Sequence, residues 1–179
     1  IGFAFDGDGD RIGIVDDTGE YISANEAICI MYWYLHECRK ETGCAVKNLC
    51  TTERLKAIAH DFGEECYDVP VGFKWISAKM KETHALIGGE SSGGMTFRNY
   101  INGKDATLTA MLFIEMLANT GRKLSDIKNQ LRTKYKPSAF IVDSTTYLAE
   151  KRSAIESFLK HDIAGLYADV ARVAYMDGC

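Results

Sequence analysis

The chain has 179 residues, a formal net charge of −4, and 46% hydrophobic and 26% charged residues. This composition is typical of a globular protein, with neither a basic footprint for nucleic acid nor a membrane span of roughly 18 apolar residues. Its six cysteines form no C-x-x-C pair, so we expect reduced thiols, no zinc site and a cytoplasmic protein.

The predicted elements alternate between strand and helix along the chain. Apolar periodicity and turn residues predict strands at 1–5, 12–15, 45–50, 64–69 and 84–89, and helices at about 23–40, 52–62, 71–82, 103–121 and 123–135. Ser23 or Asn25 is expected to cap the first helix, and Thr51 or Thr52 the second. This alternation predicts an α/β fold with a mostly parallel sheet. Pro137 marks a boundary, after which a strand at 139–148 and a charged helix near 149–160 are predicted.

Three polar or glycine-rich loops each follow a predicted strand. They are DGDGDR after IGFAF, VPVGFK after EECYDV, and GGESSGG after HALIGG. Ligands of open α/β sheets bind beyond the carboxyl ends of the strands. We therefore expect these loops to lie together and to form the functional site.

The first loop concentrates negative charge, because Asp6, Asp8 and Asp10 lie within five residues. Such carboxylates repel one another unless a positive charge compensates them. An EF-hand calcium loop requires Gly and Glu where this chain has Arg11 and Asp17. A polar turn, or a phosphatase-like loop with Asp6 as nucleophile and Asp8 as acid, remains open. Magnesium held by three carboxylates fits better, and Arg11 could then bind a phosphate.

The GGESSGG loop also has more than one interpretation. It satisfies the G-x-S-x-G pattern of a hydrolase nucleophile elbow, but the elbow needs a helix directly after it and GMTFRNY has strand character. A flexible glycine turn is the simplest alternative. The third interpretation is a sugar cradle, in which Glu90 accepts hydrogen bonds from sugar hydroxyls and Ser92 adds another.

FDGDGDR, VGFKWI, GGESSGG and GKDATLTAMLFIEML, in this order, resemble the α-D-phosphohexomutases, and within them the phosphoglucomutase/phosphomannomutase group. Members of that family have four domains around a central cleft. The resemblance implies that residues 1–15 close the second domain, that residues 16–125 form a three-layer third domain, and that residues 126–179 are a linker and the truncated start of the fourth.

The resemblance also implies roles for single residues. These fall into metal ligands that hold Mg²⁺, residues that sense or hold the sugar, and groups near the reacting phosphate. They are Asp6, Asp8 and Asp10 for the metal, Val71, Gly72, Lys74, Glu90 and Ser92 for the sugar, and Arg11 and Lys104 for the phosphate. Lys104 could equally be a solvated residue that opens a helix. Ala106 departs from the family pattern, because many members have glycine after the Lys-Asp pair.

The implied activity is interconversion of hexose 1-phosphate and hexose 6-phosphate, with glucose or mannose as the sugar. It passes through a phosphoserine enzyme and a hexose 1,6-bisphosphate. The family's Ser-His-Asn-Pro and Arg-Ser-Gly-Thr runs do not occur in this sequence. We therefore expect a piece of a longer enzyme that is inactive alone. A phosphate-ester hydrolase using Asp6 and Asp8 and a sugar-phosphate binding module are the alternatives.

Overall fold

The computed structural model describes residues 1–136, 149–154 and 157. The chain divides into two compact units, Ile1–Ala139 and Phe140–Cys179. In the second unit Ala149–Lys151 is a 3-10 helix, within the predicted helix near 149–160. The predicted strand at 139–148 falls outside the described residues. Among the helices of the described part, none has the length and apolar character needed to cross a membrane.

The described residues of the first unit, 1–136, form seven strands and five helices. In chain order they are β1 Gly2–Phe5, β2 Ile12–Val15, β3 Tyr21–Ile22, α1 Ala24–Glu37, β4 Ala45–Asn48, α2 Arg54–Asp61, β5 Cys66–Val69, α3 Phe73–Thr83, β6 Ile87–Gly89, β7 Met95–Phe97, α4 Ala106–Thr120 and α5 Leu124–Lys134. The main sheet has the order β5-β4-β6-β7. Strands β5, β4 and β6 are parallel, and β7 is antiparallel to β6. The predicted α/β fold with a mostly parallel mixed sheet is confirmed.

Helices cover both faces of the main sheet. Helix α3 packs on one face, where Ile76 and Met80 join a core cluster with Val46 of β4. The larger core on the other face is built from α1, α2, α4 and α5. Strand β6 shows how tightly these layers close: a Cβ at Gly88 would lie 2.4 Å from the sulfur of Met80, and one at Gly89 would lie 2.6 Å from a methyl of α1. The domain therefore has three layers.

Side-chain caps mark the starts of two of the helices described, α1 and α4. Ser23 caps α1 in a capping box, because its hydroxyl accepts from the backbone of Glu26 and the Glu26 carboxylate accepts in return. Asn25, the other predicted cap, accepts instead from the backbone of Thr52 at 3.0 Å. The predicted threonine cap of α2 is wrong. Because α2 begins at Arg54, Glu53 occupies the cap position, and its side chain makes no capping hydrogen bond, although the Thr52 hydroxyl accepts from the Arg54 amide at 3.2 Å.

Strands β1, β2 and β3 form a second, antiparallel sheet. The strand before the aspartate loop therefore lies outside the main sheet, unlike the strands before the other two loops. Antiparallel strands can be joined by a short loop, whereas parallel neighbours need a crossover of a dozen or more residues, and only six residues separate β1 from β2. Phe3 contacts Phe113 of α4 edge to face, with ring centroids 6.5 Å apart, and this contact holds the small sheet against the domain. Strand β3 was not predicted. It pairs with β2, so the small sheet contains residues on both sides of the domain boundary predicted at residue 15.

Candidate functional site

Although the two sheets are separate, the aspartate loop lies against the GGESSGG loop. The backbone amide of Ile12 donates to the carbonyl of Gly93 at 3.3 Å, and the amide of Ala106 donates to the carbonyl of Gly9 at 3.2 Å. Gly93 has φ +103°, and a Cβ there would lie 2.9 Å from the carbonyl oxygen of Ile12. Glycine at this position therefore permits the close approach of the two loops.

Within the aspartate loop, Asp6 organises the turn. One of its carboxylate oxygens accepts from the backbone amides of Asp10 and Arg11, at 3.1 and 3.2 Å, and the other accepts from Nε of Arg11 at 2.6 Å. The hydrogen bond from the Arg11 side chain is the main reason that the pKa of Asp6 falls to about 2. The same hydrogen bond raises the pKa of Arg11. Arg11 thus supplies part of the positive charge that the three carboxylates require.

The side chains of the aspartate loop do not converge on one point. Within the part of the chain that the structure describes, no three acidic, histidine or cysteine side chains are grouped to hold a metal ion. The cause is local, since Asp6 turns to Arg11 and Asp10 turns to Lys104. Asp8 is exposed and makes no hydrogen bond or ion pair with another described residue. Three carboxylates on one short loop are nevertheless the hard oxygen donors that magnesium prefers, so the donor chemistry fits Mg²⁺ and the site stays a prediction.

Lys104 lies between the loops. Its Nζ is 2.8 Å from Oδ2 of Asp10 and 3.9 Å from Oε2 of Glu90. The ammonium also lies over the Phe73 ring, 5.7 Å from its centroid. A Cβ at Gly94 would lie only 2.1 Å from Cδ of Lys104, so glycine leaves the room that the lysine stem occupies. This position distinguishes Lys104 from a solvated residue that merely opens α4.

Glu90 and Ser92 are also brought together. Glu90 follows β6 and is only 7% exposed. Its Oε2 accepts from the Ser92 hydroxyl at 3.2 Å, and its Oε1 accepts from the side-chain amide of Asn48 at 3.4 Å. Sequence reasoning missed Asn48. The rule that selected the three loops could have found it, because Asn48 ends the parallel strand β4.

The loop at residues 69–74 brings a further residue, Phe73, to the site. Gly72 has φ +121° and directly precedes α3. Lys74 lies over the ring of the exposed Trp75, 5.0 Å from its centroid. The Phe73 ring lies under Lys104, whereas Lys74 points to Trp75. The roles of Val71, Gly72 and Lys74 stay predictions.

The loop after β6 is a tight connection between antiparallel strands. The Glu90 amide donates to the carbonyl of Gly94 at 3.0 Å, and the amide of Gly93 donates back to the carbonyl of Glu90 at 3.1 Å. The next element is β7 and not a helix. A nucleophile elbow requires the strand–turn–helix context, so the structure argues against a hydrolase serine in this loop.

Fold and site together define an α/β/α domain that gathers carboxylate, ammonium and hydroxyl groups at one end of its sheet. The sequence profile of the family described as "Phosphoglucomutase/phosphomannomutase, alpha/beta/alpha domain III" matches residues 23–135. The chain belongs to this family, the α-D-phosphohexomutases. The family assignment made from the ordered motifs is confirmed.

Similar proteins carry related names. Phosphoglucosamine mutase of Nautilia profundicola is 34% identical over 128 residues, which cover 70% of this chain and 29% of that protein. Phosphoglucosamine mutase of Campylobacter curvus is 32% identical over 128 residues, 71% of this chain and 29% of that protein. A crystal structure described as a candidate phosphomannomutase from Thermus thermophilus matches with TM-score 0.70 and 31% identity, over 73% of this chain and 30% of that one. The chain thus spans less than a third of the length of these relatives.

Proposed function

We propose that this chain is the sugar-binding part of a phosphohexomutase, an isomerase that interconverts hexose 1-phosphate and hexose 6-phosphate through a phosphoserine and a hexose 1,6-bisphosphate. The observation that carries the proposal is the position of Lys104 between Asp10 and Glu90. The Lys104 ammonium thus lies between Asp10, a proposed metal ligand, and Glu90, a proposed ligand of sugar hydroxyls. The domain division at residues 15 and 125 and a cytoplasmic location belong to the same proposal.

Glu90 and Ser92 are the proposed sugar contacts. The ionised carboxylate of Glu90 accepts hydrogen bonds only, and the Ser92 hydroxyl both donates and accepts, so the pair can bind neighbouring sugar hydroxyls. A bisphosphate that turns over between the two half-reactions must present its hydroxyls to the same groups in both orientations. Val71, Gly72 and Lys74 would sense which way the sugar lies.

Phosphoryl transfer depends on positioning and on neutralising the charge on the transferred phosphoryl oxygens. Arg11 would bind phosphate through its planar guanidinium, and Lys104 would add a second positive charge. Asp6, Asp8 and Asp10 would hold magnesium, which when bound supplies further positive charge to these oxygens.

A coupled mutase assay on the full-length parent protein tests the proposal. The substrates are glucose 1-phosphate, mannose 1-phosphate and, because the relatives are phosphoglucosamine mutases, glucosamine 1-phosphate. Isomerisation that requires a trace of the hexose bisphosphate would support the mutase, whereas release of inorganic phosphate without isomerisation would support the hydrolase alternative. Binding without either reaction would support the sugar-phosphate binding module.

Variants locate the activity in the site described above. Lys104→Met keeps most of the length of the side chain and removes its charge, and we expect kcat/KM to fall about 100-fold, as for other groups that stabilise developing charge. Lys123→Met is the matched control, because Lys123 is exposed at the start of α5. We expect no turnover by the 179-residue chain alone, since neither the phosphoserine run nor the phosphate-loop run occurs in it. Turnover by the chain at the rate of the parent would contradict this part of the proposal.

A further inference from the structure

Two buried polar residues lie behind Glu90, and the proposed reaction does not use them. Asn48 and Thr51 are each 3% exposed. The amide nitrogen of Asn48 donates to Oε1 of Glu90 at 3.4 Å, and the Thr51 hydroxyl donates to Oδ1 of Asn48 at 2.8 Å. These contacts form a chain of hydrogen bonds from the β4–α2 loop to the proposed sugar-binding carboxylate.

Thr51 anchors the side-chain amide of Asn48. An asparagine side chain has one accepting oxygen and one donating NH₂ group, and reversing the amide would turn the oxygen toward the carboxylate. The backbone of Thr51 is held on both sides: its amide donates to the carbonyl of Asn48 at 2.9 Å, and its carbonyl accepts from Nζ of Lys47 at 3.1 Å. The hydroxyl of Thr51 therefore holds the amide oxygen of Asn48 in place. Because the Glu90 carboxylate accepts hydrogen bonds, the amide anchored in this way presents its NH₂ group to Glu90.

Lys47 makes this anchor rigid. It is 0% exposed, and its ammonium pairs with Glu53 at 2.8 Å and with Asp68 at 2.7 Å. A buried charge with two carboxylate partners has little freedom to move, because leaving either partner would be costly. The carbonyl of Thr51 thus accepts from a buried ammonium that is itself held by two ion pairs.

We propose that Asn48, oriented by Thr51, is a positioning residue that fixes the plane of the Glu90 carboxylate for sugar binding. Because Asn48 binds Oε1, the carboxylate is held in one orientation, in which Oε2 faces Ser92 and Lys104. Such pre-positioning raises the fraction of encounters that meet productive geometry. The inference rests on the proposed function of Glu90 and adds a residue that does not itself touch the substrate.

The kinetic test compares two replacements of Thr51 in the full-length parent protein. Thr51→Val keeps the shape and removes the donor, and we expect kcat/KM to fall about tenfold, corresponding to one lost hydrogen bond. Thr51→Ser keeps the hydroxyl and should restore most of the rate. The matched control is Thr52→Val, because the Thr52 hydroxyl accepts from the first amide of α2 and does not contact Asn48. It should lower the melting temperature and leave kcat/KM unchanged.

A second measurement, on the 179-residue chain, does not depend on activity. The side-chain NH₂ resonances of Asn48 should exchange slowly with water in the unmodified chain, and about tenfold faster in Thr51→Val. Thr52→Val should keep the slow exchange. Unchanged kinetics and unchanged exchange in Thr51→Val would overturn the inference. Failure of the proposed function itself would appear separately, as a full-length protein that isomerises no hexose phosphate, and the exchange comparison would still decide whether Thr51 orients Asn48.

Discussion

Replacing Gly94 by alanine should displace Lys104 from its position between Asp10 and Glu90. The added Cβ would lie 2.1 Å from Cδ and 2.9 Å from Cγ of Lys104, whereas ordinary carbon contacts lie at about 3.5–4.0 Å. The lysine stem must therefore move by more than about 1 Å. The backbone itself tolerates alanine, because Gly94 is not among the glycines with positive φ. Overpacking of this kind costs about 1–3 kcal/mol.

Thermal and urea unfolding of the 179-residue chain measure this cost. For a chain of this size, each kcal/mol lowers the melting temperature by about 2–4 °C. The matched control is Gly103→Ala, since a Cβ at Gly103 would meet nothing within 4 Å. In a Lys104→Ala background the clash is absent, so the added cost of Gly94→Ala should nearly vanish. An equal cost in both backgrounds would refute the reasoning, because it would show that the lysine stem is not what the alanine meets.

Three further predictions concern charge. In the full-length protein, Asp8→Asn should remove most activity and weaken its dependence on magnesium, and an unchanged magnesium titration would exclude Asp8 as a ligand. Glu90→Gln should lower turnover of hexose phosphates far more than Ser91→Ala, and an esterase activity lost in Ser91→Ala would instead favour the nucleophile elbow. Burial opposes ionisation of Asp16, but hydrogen bonds, above all from Lys128, outweigh it, so the pKa of Asp16 lies below its ordinary value. Because the folded-state pKa is the lower one, the Asp16 carboxylate stabilises the fold above about pH 4 and this contribution is lost as the pH falls further. We therefore expect chemical unfolding between pH 6 and pH 2 to show a free energy of unfolding that falls less steeply with decreasing pH in Asp16→Asn than in the unmodified chain. An unchanged slope would exclude Asp16 as a source of the pH dependence.

The sequence by itself determined the local features and the family. Ser23 with Glu26 marks the start of α1, and Gly121, in the left-handed conformation, ends α4, because caps depend on residues within one turn of each other. The ordered motifs likewise determined the family, since they are strings of neighbouring residues. The residue types of the aspartate and glycine loops were also sufficient to select most members of the candidate site.

Only the tertiary structure decided how those parts meet. The β1–β2 hairpin lies outside the main sheet. A backbone hydrogen bond from Ile12 to Gly93 nevertheless places the loop of the hairpin beside the loop that carries Glu90. The pairing of Lys104 with Asp10 and the contact of Asn48 with Glu90 join residues far apart in the chain. Local periodicity specifies which face of an element is buried but not which distant element covers it. Those contacts depend on the packing of the whole domain, and for that physical reason the sequence identified the loops while the fold brought Lys104 and Asn48 to Glu90.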